Sequence, residues 1–246
     1  MILRAPRLSK KLQHYIFSAF ISDQSAAKTV VASKTFFKRQ VFSRNTVNLY
    51  FRHYRELIYA ATDKAPRFDG EVEIDIGFFG GRASKYTSEE LRRIGGMAPG
   101  RQVAALKKLK KVQKKALPVF GFLRRHGDIY LLPIKGKSRM QLESAVRLVI
   151  ARGSIVYSDA EKGLAQISLD GYKHHVINKA LGKYSLGDGI HVNGIESFWS
   201  ELRRSMGKNF RGIPKSTILY HLKEREFRHN HKHDFTEALT ALMKKK

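Results

Sequence analysis

Apolar positions recur at helical spacing through the first sixty-odd residues. Leu12, Tyr15, Ile16, Ala19 and Phe20 predict a helix over Lys11–Ile21, with Ser9 placed as its N-cap. A short helix is predicted over Ser25–Ala32. A longer one is predicted over Asn45–Ala61, with Val47, Tyr50, Phe51, Tyr54, Leu57 and Ile58 as its apolar stripe. Between these two, Ser33–Arg44 holds Lys34, Lys38, Arg39 and Arg44. The pattern suits a helix-turn-helix-like module, and equally a plain three-helix packing unit with a solvated basic face.

The period changes after Asp63-Lys64-Ala65-Pro66. Glu71–Phe79 alternates, with Val72, Ile74, Ile76 and Phe78 on one face and Glu71, Glu73 and Asp75 on the other. That period of two predicts a strand with one polar face. Leu117–Leu123 and Asp128–Ile134 flank Arg124-Arg125-His126-Gly127 as a hairpin. Ser138–Arg152 reads as an amphipathic helix, Ser154–Asp159 as a short buried strand, Glu161–Ser168 as a short helix and His174–Ile177 as a strand. Helices follow over Ile190–Met206 and Pro214–Asn230. From Arg82 to Lys115 the chain is polar, and it reads as a long basic loop with a helical part from Val103. The order gives a mixed α/β layout with helices on the faces of a central sheet. The expected division is a helical domain over 1–66 and an α/β domain with C-terminal helices over 67–246.

Charge narrows the partner. The chain has 246 residues, with 47 Lys and Arg against 21 Asp and Glu, a net of +26. Such an excess calls for a polyanion, above all nucleic acid. The excess is spread along the chain, since residues 1–66 carry 12 basic residues against 3 acidic. With 42% hydrophobic and 11% aromatic residues the chain is too apolar for a disordered basic tail. No apolar run approaches a membrane span, and the N-terminal stretch lacks the pattern of a signal peptide. Cysteine is absent, which excludes disulfides, thiolate catalysis and Cys-ligated zinc. Any chemistry must use carboxylates, histidines, hydroxyls or a bound metal.

Acids are scarce, so their placement matters. Asp75 lies within the first strand. Asp159 closes a buried strand, where α/β proteins usually bind ligands. Glu196 opens a helix whose Ile195, Phe198, Trp199 and Leu202 look core-facing. Three carboxylates converging on one cleft would suit magnesium or manganese and metal-assisted phosphodiester chemistry. Each also has an ordinary reading: Asp159 as a helix N-cap, Glu196 paired with Arg203 or Arg204, Asp75 as a solvated sheet residue. The alternating His229, His231 and His233 read as a polar helix end, and Trp199 reads as core.

Several blocks carry a resemblance: FDGEVEIDIGFFGG at Phe68–Gly81, VFGFLRRHGDIY at Val119–Tyr130, SIVYSD at Ser154–Asp159 and GYKHHVIN at Gly171–Asn178. IHVNGIESFWSELRR at Ile190–Arg204, GIPKSTILYHLKEREFRHN at Gly212–Asn230 and Asp234-Phe235 continue it. Over about two-thirds of the chain these resemble the ISXO-like bacterial insertion-sequence transposases, a DDE group with a ribonuclease-H-like fold. H-x-N-x-I-E-x-F-W is the specific signature. The resemblance implies a ribonuclease-H-like mixed sheet flanked by helices, behind an N-terminal helix-turn-helix-like domain. It implies Asp75, Asp159 and Glu196 as catalytic metal ligands for two Mg²⁺ or Mn²⁺ ions, with Asn193 an alternative third ligand. Arg203 stands where the family usually has Lys. Ile76 and Gly77 stand where it commonly has Glu and Ser or Thr, and Ala160, Glu161, Gly163 and Leu164 where it shows aromatic and Tyr positions. The implied activity is binding of terminal inverted repeats in double-stranded DNA, 3′-end cleavage and strand transfer by a homo-oligomer in the bacterial cytoplasm, at the nucleoid. Lys34, Lys38, Arg39, Arg44, Lys107, Lys108, Lys110, Lys111, Arg203 and Arg204 are the candidate DNA contacts. A nuclease of the same fold without strand transfer and an inactive DNA-binding remnant are the other readings.

Overall fold

The computed structural model describes residues 8–38, 42–79, 96–97, 101, 117–160, 164, 167, 170–177, 192–206, 213 and 215–245. The chain divides into two compact units, one of Met1–Lys64 with Tyr220–Lys246 and one of Ala65–Leu219. The C-terminal helices, expected with the α/β domain, thus belong from Tyr220 onward with the N-terminal helices. The physical reason is a shared core.

In the first unit α1 (Lys10–Ile21), α2 (Ala26–Phe37) and α3 (Arg44–Thr62) follow the predicted apolar periods, with α2 running further than its pattern suggested. Ser25 and Ser43 accept hydrogen bonds from Lys28 N and Thr46 N and so cap α2 and α3, whereas the Ser9 side chain makes no capping bond. Ile16, Phe20, Val47, Phe51, Tyr54 and Ile58 form a core completed by Phe227 of α6 (Lys215–Asn230) and Leu239 of α7 (Phe235–Lys244). Helix α7 follows from Phe235, Ala238, Leu239 and Leu242 at helical spacing, a stripe absent from the sequence-based expectation. Glu224 of α6 is buried at 1% exposure, 2.6 Å from Arg55 Nε of α3 and 2.9 Å from Arg228 Nε.

The second unit holds a five-stranded mixed sheet in the order β3-β2-β1-β4-β5. The strands are β1 (Glu71–Phe79), β2 (Leu117–Arg124), β3 (Ile129–Pro133), β4 (Ile155–Asp159) and β5 (Lys173–Ile177). Strand β2 runs antiparallel to β1 and β3, and β4 runs parallel to β1 and β5. This is the expected mixed α/β layout. Val72, Ile74 and Ile76 face a core with Phe120, Phe122 and Val156, closed by Leu142, Val146 and Val149 of α4 (Arg139–Val149). Phe78, expected on the same buried face, is 43% exposed, with Lys137 Nζ 4.4 Å above its ring. The opposite face of β1 lies against α5 (Asn193–Met206). Glu73, on the polar side of the alternation, is therefore 1% exposed. Alternation shows which residues share a face but not whether a second helix covers it. The predicted helices over Glu161–Ser168 and Val103–Lys115 lie largely or wholly outside the described residues.

Candidate active site

Strands β1 and β4 run parallel in a register that pairs Glu71 with Ile155 and Ile74 with Ser158. The next residue on each strand is Asp75 and Asp159. Their backbones therefore stand side by side at the carboxyl end of the β1/β4 ladder, and opposed residues of neighbouring strands share a sheet face. Both are part-exposed. Beyond Asp159, Ala160 N donates to Ile177 O at 3.0 Å, so β5 ends alongside.

Helix α5 covers this face and is fixed to β1 at two points. At its first turn Ile195 N donates to Glu73 Oε2 at 2.8 Å. A carboxylate at a helix N-terminus answers both the unpaired amides and the positive end of the helix dipole. One turn on, Trp199 Nε1 donates to Asp75 Oδ2 at 2.9 Å, while Ile76 N donates to Asp75 Oδ1 at 2.7 Å. Trp199 is 2% exposed and packs 5.3 Å from the Phe79 ring. Glycine makes room for it. A Cβ on Gly121, which pairs with Asp75 across the β1/β2 ladder, would lie 2.6 Å from Trp199 Cζ2. A Cβ on Gly77 would lie 2.5 Å from Phe79 Cε2 and 3.4 Å from Trp199 Cε2.

Arg125 compensates the buried charge of Glu73. Its Nε lies 3.2 Å from Glu73 Oε1 and its Nη1 2.7 Å from Glu71 Oε2, with its guanidinium 3.8 Å above the Tyr157 ring. Tyr157 donates its hydroxyl proton to Glu71 Oε2 at 2.9 Å. Burial and then that bond raise the Tyr157 pKa above its usual value. On the other side of β4, the fully buried Ser158 places Oγ 2.8 Å from His174 Nε2. Burial lowers the pKa of that imidazole.

Glu196 stands on the first turn of α5, half-buried, and Asn193 opens the helix, exposed. Among the described residues no group of three or more Asp, Glu or His side chains could hold a metal ion. The sheet thus sets Asp75 and Asp159 together, while the three acids do not form one ligand cluster as they stand. Their chemistry fits a hard divalent cation, which takes carboxylate oxygens.

The basic candidates are dispersed. Arg203 and Arg204 are exposed on the last turn of α5. Lys34 and Lys38 are exposed on α2 and at its left-handed C-cap, and Arg44 is exposed at the start of α3. Arg39, Lys107, Lys108, Lys110 and Lys111 lie outside the described residues. His231 Nδ1 lies 3.0 Å from Asp234 Oδ1, and its ring packs on Phe227. Glu73, Arg125 and Gly121 are residues around the candidate site that the sequence did not single out, and Trp199 is one that it assigned to the core. Glu73 had a signal, since it shares the face of Asp75 two positions earlier. Trp199 had another, one helical turn after Glu196.

The second unit is thus a mixed α/β domain with Asp75 and Asp159 on neighbouring strands and Glu196 on the helix over β1. Residues 67–230 match the family model described as the ISXO2-like transposase domain, and the chain belongs to that family. It is also similar to an uncharacterized transposase-like protein of Haemophilus influenzae, at 28% identity over 102 residues. That match spans 42% of this chain and 80% of the relative. No described helix is long and apolar enough to cross a membrane.

Proposed function

We propose that the protein is a DNA transposase of a bacterial insertion sequence, with a ribonuclease-H-like catalytic domain that cuts DNA at the element's 3′ ends and transfers the freed ends to target DNA. The observation that carries this reading is the β1/β4 register, which sets Asp75 beside Asp159 within a domain of the ISXO2-like transposase family. Asp75, Asp159 and Glu196 would hold two Mg²⁺ or Mn²⁺ ions, with Asn193 the alternative to Glu196. Bound there, the ions would supply the charge that activates the attacking oxygen and steadies the leaving oxygen of an in-line displacement at phosphorus.

The other residues of the chain bind and orient. Arg203 and Arg204 would hold phosphates of the strand lying over α5, by contacts that position the DNA without reading its sequence. The exposed Lys34, Lys38 and Arg44 support a helix-turn-helix-like role for α2 and α3 on the element's inverted repeats. The net charge of +26 supports double-stranded DNA as the partner of both units. Two ends must be joined, so the working form would be a homo-oligomer on DNA, acting in the cytoplasm at the nucleoid.

The test is Asp159→Asn on the full chain. End-bearing DNA should still be bound, and divalent-metal-dependent nicking should vanish. Cleavage by the unmutated protein without strand-transfer products would favour a nuclease. Binding with neither cleavage nor joining, in Mg²⁺ and in Mn²⁺, would leave a DNA-binding remnant and overturn the catalytic reading.

A further inference from the structure

We propose that Trp199 is a positioning residue of this site: its indole N–H fixes the Asp75 carboxylate and ties the first acid to the helix that carries the third. The inference rests on the catalytic reading above.

Asp75 has two side-chain torsions and is part-exposed, so nothing in its own covalent structure holds its carboxylate still. The Ile76 amide takes Oδ1 at 2.7 Å and the Trp199 indole takes Oδ2 at 2.9 Å. Two donors on two different oxygens fix both torsions. Trp199 can serve because it is closely packed: it is 2% exposed, flanked by Phe79 and Phe198, and seated where Gly121 and Gly77 leave no side chain. Glu196 lies three residues earlier on the same helix, on the neighbouring turn. The same helix is fixed a second time where Ile195 N meets Glu73, and a Cβ on Gly194 would lie 2.8 Å from Leu123 Cδ2 and 3.0 Å from Glu73 Oε2. Helix α5, which carries Glu196, is thus joined to β1, which carries Asp75, by two hydrogen bonds and by close packing. Partners of this kind, one bond removed from a metal ligand, typically govern metal affinity about 10- to 100-fold.

A buried indole also needs an acceptor for its own sake. If that were all, removing the N–H would alter stability and leave cation binding alone. Trp199 is the only tryptophan in the chain, so growth on 3-benzothienylalanine replaces this residue alone by an isostere lacking the N–H. The full-length protein would be compared with its unmodified form by thermal melting and by Mn²⁺ titration calorimetry, with Asp75→Asn as control. The expected result is a folded protein whose Mn²⁺ affinity falls about 10- to 100-fold. Trp199→Phe, which also lacks the N–H, gives the same reading if the isostere folds poorly. Unchanged Mn²⁺ affinity in either folded variant overturns the proposal. Failure of the unmodified protein to bind Mn²⁺ more tightly than Asp75→Asn sinks the metal reading itself, and the proposal with it.

Discussion

Trp199 of α5 reaches across to β1 and donates its indole proton to Asp75 Oδ2 at 2.9 Å. This bond turns a residue that reads as plain core into part of the candidate site. Beside it a Cβ on Gly77 would lie 2.5 Å from Phe79 Cε2. The floor of the site in this chain is packed by aromatic rings.

Gly121→Ala should be costly. Its Cβ would lie 2.6 Å from Trp199 Cζ2 and 3.1 Å from Ile195 Cδ1, so the indole or the strand must shift. Overpacking of this kind typically costs about 1–3 kcal/mol. Guanidinium denaturation should show that loss, and the tryptophan emission should change as the indole leaves Asp75.

Glu73→Gln should loosen the start of α5. The substitution keeps the size of the side chain and removes the charge that Arg125 and the helix N-terminus both answer. A loss of roughly 1–3 kcal/mol is expected. Hydrogen exchange should quicken at the Ile195 amide while the β2/β3 hairpin stays protected; equal quickening in both would count against a local role.

Glu224→Gln should destabilise the first unit more than any surface change. Burial alone would raise the pKa of this carboxyl, yet Arg55, Arg228 and Arg225 hold it at about 2. Removing the charge strands Arg55 and Arg228 on a buried, neutral partner. Breaking a buried pair in this way costs roughly 3–5 kcal/mol. Differential scanning calorimetry should place the loss in the unit built from residues 1–64 and 220–246.

Acid should weaken the same unit in two stages. Burial, helped by Arg55, lowers His221 to about 4 against an ordinary 6.5, so the folded state favours the neutral ring. Its contribution is complete above pH 6.5 and is lost as pH falls toward 4. Glu224 is likewise depressed, from 4.5 to about 2. Its contribution is complete above pH 4.5 and is lost as pH falls toward 2. Urea midpoints should therefore begin to fall below pH 6.5 and fall again below pH 4.5. His221→Phe should flatten the first step only.

The elements were largely legible from periodicity because most are amphipathic or simply apolar. The alternation of Glu71–Phe79 located β1 to the residue, and the stripe of Val47–Ile58 located α3. What the pattern could not give was the second layer. The alternation put Glu73 and Asp75 on one polar side but could not show that the charge of Glu73 is answered by Arg125, fifty-odd residues away, and by a helix terminus. The aspartates of the candidate site were found by motif, and their adjacency then follows from strand register. Trp199 reads as core, and Gly121 and Arg125 do not stand out, because their roles are contacts between elements, which no local window contains. The membership of the chain from Tyr220 onward in the first unit escaped notice for the same reason.

That membership has a consequence for the order of events during synthesis. The chain leaves the first unit after Lys64 and rejoins it at Tyr220, so the α/β unit is an insertion within the helical one. Phe227 and Leu239 fill the core begun by Ile16, Phe20 and Val47. On the ribosome the three N-terminal helices emerge first but must wait, with that core open, until the whole inserted unit has been made. The α/β unit can fold as it emerges. The helical unit, first to be translated, is the last to close.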